Sequence, residues 1–126
     1  MHVVDTCGWI EWLVDGRLAE NFAPHLSDTE NLIVPTLVQF ELYKWTMRER
    51  DEATALSVIG LTEACRVQVL DTRIALLAAE LATQHALAMA DAIIYATARA
   101  AGGTLYTSDA HFSELPNVCY WAKEAD

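Results

Sequence analysis

An α/β fold, in which a parallel sheet of four or five short strands lies between layers of helices, is what this chain predicts. Three observations lead there. Short β-branched runs alternate with longer segments of helical period along the whole length. The joints between them carry helix-starting and helix-stopping residues. Hydrophobic residues make up 53% of the 126, which excludes disorder and asks for elements covered on more than one face.

Each element has its own warrant. His2–Asp5 reads as a short buried strand, followed by a helix through Trp9, Ile10 and Leu13 that Asp15-Gly16 ends. A second short helix covers Leu18–His25. Leu32-Ile33-Val34 forms a strand closed by Pro35, and Thr36 then caps a helix reaching about Arg50. Another helix spans Glu52–Glu63, and Val67–Leu70 is the third strand. Asp71 or Thr72 caps a helix whose apolar residues Ile74, Leu77, Ala78 and Leu81 fit the 3.6-residue period. The helix Ala90–Ala101 is apolar nearly all round and should be deeply buried, with Gly102-Gly103 ending it. Thr104–Thr107 and Val118–Tyr120 complete the strands. The length predicts one domain over residues 1–126.

Composition narrows the function classes. Cys7, Cys65 and Cys119 are odd in number, far apart and without a C-x-x-C pair, which argues against a disulfide framework and a structural zinc site. They read as small buried hydrophobes in a reducing compartment. No signal peptide or membrane span is visible, so a soluble cytoplasmic protein is expected. The formal net charge of −10 weighs against a nucleic-acid partner, because phosphate contacts need basic groups. Metal ions on clustered carboxylates, or the local group Lys44, Arg48 and Arg50, would offset it.

Four acids stand out, each with a structural alternative. Asp5 follows the first strand, where a helix N-cap is the default role. Glu41 stacks with Leu37 and Trp45 along one helix face, and a carboxylate on an apolar stripe needs a partner unless that face is a partly exposed flank. Asp91 opens a helix, where dipole compensation competes with an inward-facing role beside Ile94 and Tyr95. Asp109 ends the Thr104–Thr107 strand region in a turn-like cluster. Ligand crevices in open parallel sheets lie beyond the carboxyl ends of the strands. Together the four acids invite one explanation: a hard divalent cation that relieves carboxylate repulsion. His111 reads as a local structural residue, although it lies two positions past Asp109.

Four segments resemble a known family. Val3-Val4-Asp5-Thr6, Leu37-Val38-Gln39-Phe40-Glu41-Leu42, Met89-Ala90-Asp91-Ala92-Ile93-Ile94-Tyr95-Ala96-Thr97-Ala98 and Leu105-Tyr106-Thr107-Ser108-Asp109-Ala110-His111-Phe112 are similar, in order and spacing, to PIN-domain ribonucleases. More narrowly they resemble the VapC toxins of toxin–antitoxin pairs. That resemblance implies a three-layer α/β/α fold and a site in which Asp5, Glu41, Asp91 and Asp109 hold Mg²⁺ or Mn²⁺. It further implies endoribonuclease activity on single-stranded RNA, a homodimer and a cognate antitoxin. Thr107 and Thr6 would support the cluster. Cys7 departs from the small polar residue usual at its position, and a thiol is the weaker hydrogen-bonder. The competing expectation is a catalytically silent PIN module acting through protein binding, with Trp9, Trp12 and Trp45 as possible groove residues. A degenerate module would be expected to have lost an acid, and all four are present.

Overall fold

Strand β1 (His2–Val4) leads through helices α1 (Thr6–Leu13) and α2 (Ala19–Ser27) to β2 (Leu32–Pro35). Helices α3 (Thr36–Glu49) and α4 (Glu52–Glu63) lead to β3 (Arg66–Gln68). Helices α5 (Thr72–His85) and α6 (Met89–Ala100) return the chain to β4 (Thr104–Thr107), and a 3₁₀ turn (Ala110–Phe112) precedes β5 (Val118–Tyr120). This is a computed structural model and it describes residues 1–124.

All five strands are parallel, in the order β3-β2-β1-β4-β5. The chain works outward from β1 to β3, then crosses back to β4. Right-handed crossovers therefore place α1 to α4 on one face and α5 and α6 on the other. The order reverses between β1 and β4, which pair as His2 with Thr104, Val3 with Leu105 and Val4 with Tyr106. A crevice at their carboxyl ends follows from this topology.

The predicted elements are all present, and the differences at their ends have local causes. The third strand was expected over Val67–Leu70 but covers Arg66–Gln68. It is an edge strand paired, among the described residues, with β2 alone, and the register runs out when Pro35 pairs with Gln68 and β2 turns into α3. Val69 and Leu70 are left exposed. Thr36 is the first residue of α3 rather than its cap. Pro35 holds the cap position in extended conformation with no side-chain cap bond. Asp71 caps α5 as expected, its Oδ1 accepting the Ile74 N–H at 2.9 Å, a bond worth about 1 kcal/mol.

Helix α6 is buried through Ala92, Ile94, Tyr95, Ala96, Thr97 and Ala98, as its all-round apolar sequence predicts. Its small residues allow close approach to the sheet, and the Tyr95 hydroxyl donates to the Pro116 carbonyl at 2.7 Å, tying the helix to the segment before β5. Gly102, at φ 67°, supplies the left-handed residue that ends it. The opposite face packs Phe22 of α2 against Val4 and Gly8. A Cβ at Gly8 would lie 2.6 Å from Val4 Cγ1 and 2.7 Å from two Phe22 ring carbons. Gly8→Ala is therefore expected to destabilise by about 1–3 kcal/mol despite alanine's better helix propensity, measured as a lower urea midpoint at unchanged m.

Candidate functional site

Parallel strands deliver Asp5 at the carboxyl end of β1 and Thr107, Ser108 and Asp109 at the carboxyl end of β4. These are adjacent strands at the reversal of strand order, so the crevice is built from the backbone outward.

Asp5 is 5% exposed. It does occupy the N-cap position of α1, but its bonds differ from an ordinary cap, whose carboxylate accepts from the second or third helical N–H. Here Oδ1 accepts the N–H of Thr6, the first helical residue, at 2.8 Å. Oδ2 accepts the Thr107 hydroxyl at 2.8 Å and the Cys7 thiol at 3.4 Å. Burial pushes the Asp5 carboxyl up to about 6 against these three bonds, and the charge of Asp91 adds to the rise. The protein thus holds a carboxylate in place without supplying a compensating cation.

Cys7 is not the inert small hydrophobe expected for the cysteines. All three thiols are free and half-buried, and Cys7 lies inside the polar network. The Ser108 N–H and hydroxyl donate to its sulfur at 3.4 and 3.3 Å, and Thr107 Oγ1 lies 3.5 Å away. Burial and the neighbouring Asp5 charge push the thiol up to about 11, so it stays protonated and donates to Asp5.

Glu41 is half-buried on the flank of α3, because the fully buried stripe runs one residue over, through Val38, Leu42 and Thr46. It is nevertheless tied to Asp5. The Thr6 hydroxyl donates to Glu41 Oε1 at 2.6 Å while the Thr6 N–H serves Asp5, so one threonine spans two acids. Beside Glu41 a groove is lined by Thr6, Ile10, Phe40, Lys44, Trp45 and Arg48. Lys44 Nζ sits 5.9 Å from the Phe40 ring centroid. Two of the three basic residues singled out in the sequence thus line one groove with two aromatics.

Asp91, in the first turn of α6, and Asp109, after β4, come together with His111. One ligand atom from each lies within 4.8 Å of the others. Burial and the charge of Asp109 raise the Asp91 carboxyl, while His111 lowers it. Asp109 N–H donates to Thr107 Oγ1 at 2.9 Å, so Thr107 links Asp109 to Asp5. Among the described residues, Asp5 and Glu41 join no trio as tight as the one formed by Asp91, Asp109 and His111. The four predicted acids therefore form a chain of contacts: Glu41 to Asp5 through Thr6, Asp5 to Asp109 through Thr107, and Asp109 beside Asp91.

Sequence reasoning preferred a local structural role for His111 over contact with the site, and it passed over Ser108. The signal for His111 was local: Asp109 caps the 3₁₀ turn by accepting the His111 N–H at 2.9 Å, which brings the imidazole back over the acids. The role of Ser108 depends on Cys7, about a hundred residues away along the chain, and has no local signature.

The donor set suits a divalent cation. It is made of carboxylates with one imidazole, on elements fixed by the sheet, and burial raises two of the carboxyls, one of them only partly offset by His111.

Comparison with known proteins agrees with this fold. The family model of the PIN domain matches residues 2–118. The fold is similar to that of a chain in a toxin–antitoxin complex from Klebsiella pneumoniae, at 21% identity and TM-score 0.78, over 94% of this chain and 96% of that one. It is also similar to the Mycobacterium tuberculosis protein VapC20, described as a sarcin–ricin loop cleaving toxin, at 19% identity and TM-score 0.74, over 94% and 97% of the two chains. A chain of the Rickettsia felis VapBC2 assembly, bound to a DNA fragment from its promoter, matches at 16% identity and TM-score 0.74, over 95% and 98%. No curated protein matches in sequence.

Proposed function

The chain belongs to the PIN-domain family, and from that premise we propose that it is a metal-dependent endoribonuclease that cuts single-stranded RNA as the toxin of a toxin–antitoxin pair. The observation that carries this reading is the buried Asp5 carboxylate at the strand-order reversal, held by Thr6, Thr107 and Cys7 in one field with Asp91 and Asp109.

In this reading Asp5, Glu41, Asp91 and Asp109 hold Mg²⁺ or Mn²⁺. Bound there, the ion would lower the pKa of a water, polarise a phosphoryl oxygen and steady the leaving oxygen. The chain's own residues position the acids. Thr107 and Cys7 fix one oxygen of Asp5, and Thr6 fixes the other together with Glu41. On a chain of net charge −10, the groove beside Glu41 brings two of the eight Lys and Arg residues together, with Phe40 and Trp45 as stacking surfaces. Basic and aromatic groups in one groove suit unpaired nucleotides, whose phosphates and base faces are both accessible.

The likeness to the Klebsiella pneumoniae chain supports an antitoxin partner, and that to VapC20 supports cleavage of structured RNA at a loop. We place residues 1–126 in one domain that works in the cytoplasm as a homodimer. A basic antitoxin segment would be the natural inhibitor of so acidic a pocket. Among the described residues, no helix is long and apolar enough to cross a membrane.

Purified protein given single-stranded RNA and Mg²⁺ or Mn²⁺ is expected to cut it, and a chelator in excess should return the rate to background. Cleavage that is indifferent to chelation would overturn the metal mechanism. No cleavage with either ion, by protein freed of any partner, would favour the silent binding module.

A further inference from the structure

We propose that His111 is itself a ligand of the metal at this site, and that its imidazole makes the site select Mn²⁺ over Mg²⁺. The inference rests on the metal-nuclease reading and adds to it a residue outside the four acids.

His111 Nδ1 lies 3.2 Å from Asp91 Oδ2 and 3.3 Å from Asp109 Oδ1. An octahedral ion about 2.1 Å from its ligands sets adjacent ligand atoms about 3 Å apart, so both His111 separations already stand close to the spacing that one ion requires, with the two carboxylates within 4.8 Å of each other. Packing does not hold the ring there. Its side chain is 73% exposed, while those of Asp91 and Asp109 are 20% and 31% exposed beneath it. What holds it is the backbone: Asp109 caps the 3₁₀ turn through the His111 N–H, and the ring folds back over both carboxylates. In the metal-free protein the Nδ1–H tautomer donates to the acids, and a bound ion takes the Nε2–H tautomer, whose Nδ1 lone pair faces the same two carboxylates. The metal-free hydrogen bond and the metal-bound state use the same atoms, so loading exchanges a shared proton for a cation.

The chemistry of the donor sets the selectivity. Mg²⁺ keeps oxygen ligands and waters and gains little from nitrogen. Imidazole favours the first-row transition ions, and in a set otherwise made of carboxylates Mn²⁺ is the member that accepts both donor types readily.

The test uses the full chain with each metal alone and needs no RNA. Pulsed electron paramagnetic resonance on the Mn²⁺-loaded protein should show nitrogen-14 modulation from a directly bound imidazole, lost in His111→Ala. The same variant should bind Mn²⁺ about tenfold more weakly, read from the signal of free Mn²⁺, and Mg²⁺ by competition less than about threefold more weakly. Because the ring is exposed, the variant should keep its thermal midpoint without metal. The proposal is overturned if the wild-type protein shows no nitrogen coupling, or if both metals weaken equally. Nitrogen coupling without RNA cleavage would uphold the ligand and remove the nuclease reading. Metal-dependent cleavage without nitrogen coupling would do the reverse.

Discussion

Asp5→Asn is expected to abolish cleavage and, without metal, to make the protein more stable. The two effects have one cause. The fold holds the Asp5 carboxyl at about 6 when 3.8 is its ordinary value, so at neutral pH the native state carries a buried charge that it would rather protonate. The difference of 6 − 3.8 corresponds to roughly 3 kcal/mol. The amide removes the charge but keeps only part of the bonding to Thr6, Thr107 and Cys7, so a net gain of about 1–2 kcal/mol is expected. In chelator at pH 7.5, urea denaturation should show this as a higher midpoint for the variant.

The pH dependence has a sign opposite to that of a salt-bridged aspartate. A carboxyl raised on folding binds its proton more tightly in the native state, so its contribution to stability falls as pH rises from about 4 to above 6. The advantage of Asp5→Asn should therefore be present at pH 7.5, shrink as the pH falls through about 6, and give way below about pH 4 to a small deficit left by the lost bonding. Saturating Mn²⁺ should reverse the ranking, because only the wild type keeps the carboxylate to bind it. Cleavage should fall by about 10²–10³-fold or more, the range seen when a preorganised electrostatic group is removed from a reaction site. A variant that cuts RNA normally, or one that is less stable than wild type in chelator at neutral pH, would show that Asp5 is an ordinary helix cap.

How much of this was legible in the sequence varies by residue. The five strands and six helices could be read because each has a local signal: period, cap or stop. Asp71 capped where it was expected, and the apolar sequence of α6 predicted its burial. The end of β3 could not be read, since it is set by where its neighbour β2 turns into a helix, a pairing fact absent from the run Val67–Leu70 itself. The site shows the same division. Asp5 and Asp109 were suspect from their positions at strand ends, whereas choosing them together with Glu41 and Asp91 required the family resemblance. Glu41 attracted attention as a carboxylate on an inward stripe, yet it sits on the flank and owes its place to Thr6. Cys7 was read as a departure that weakens support for Asp5. Its sulfur instead accepts from Ser108 and donates to Asp5, a relay between strands that joins residues far apart along the chain.

Asp91→Asn separates the catalytic reading of this acid from the structural one that its sequence position offers. As the one acid in the first turn of α6, Asp91 favours the helix dipole, and neutralising it should cost about 0.3–1 kcal/mol. Against that, burial and the charge of Asp109 both raise its carboxyl, so neutralisation also relieves a strain that His111 only partly offsets. The opposing effects should leave metal-free stability within about 1 kcal/mol of wild type. Cleavage should still fall at least about a hundredfold, because the ion loses the carboxylate that faces both Asp109 and His111. Mn²⁺ affinity should fall with it, while the nitrogen coupling from His111 persists in whatever fraction still binds. A variant that is clearly less stable yet cuts at the wild-type rate would assign Asp91 to the helix dipole alone. One that folds normally but neither binds the ion nor cuts would assign it to the metal, because the dipole reading predicts no loss of either in a folded protein.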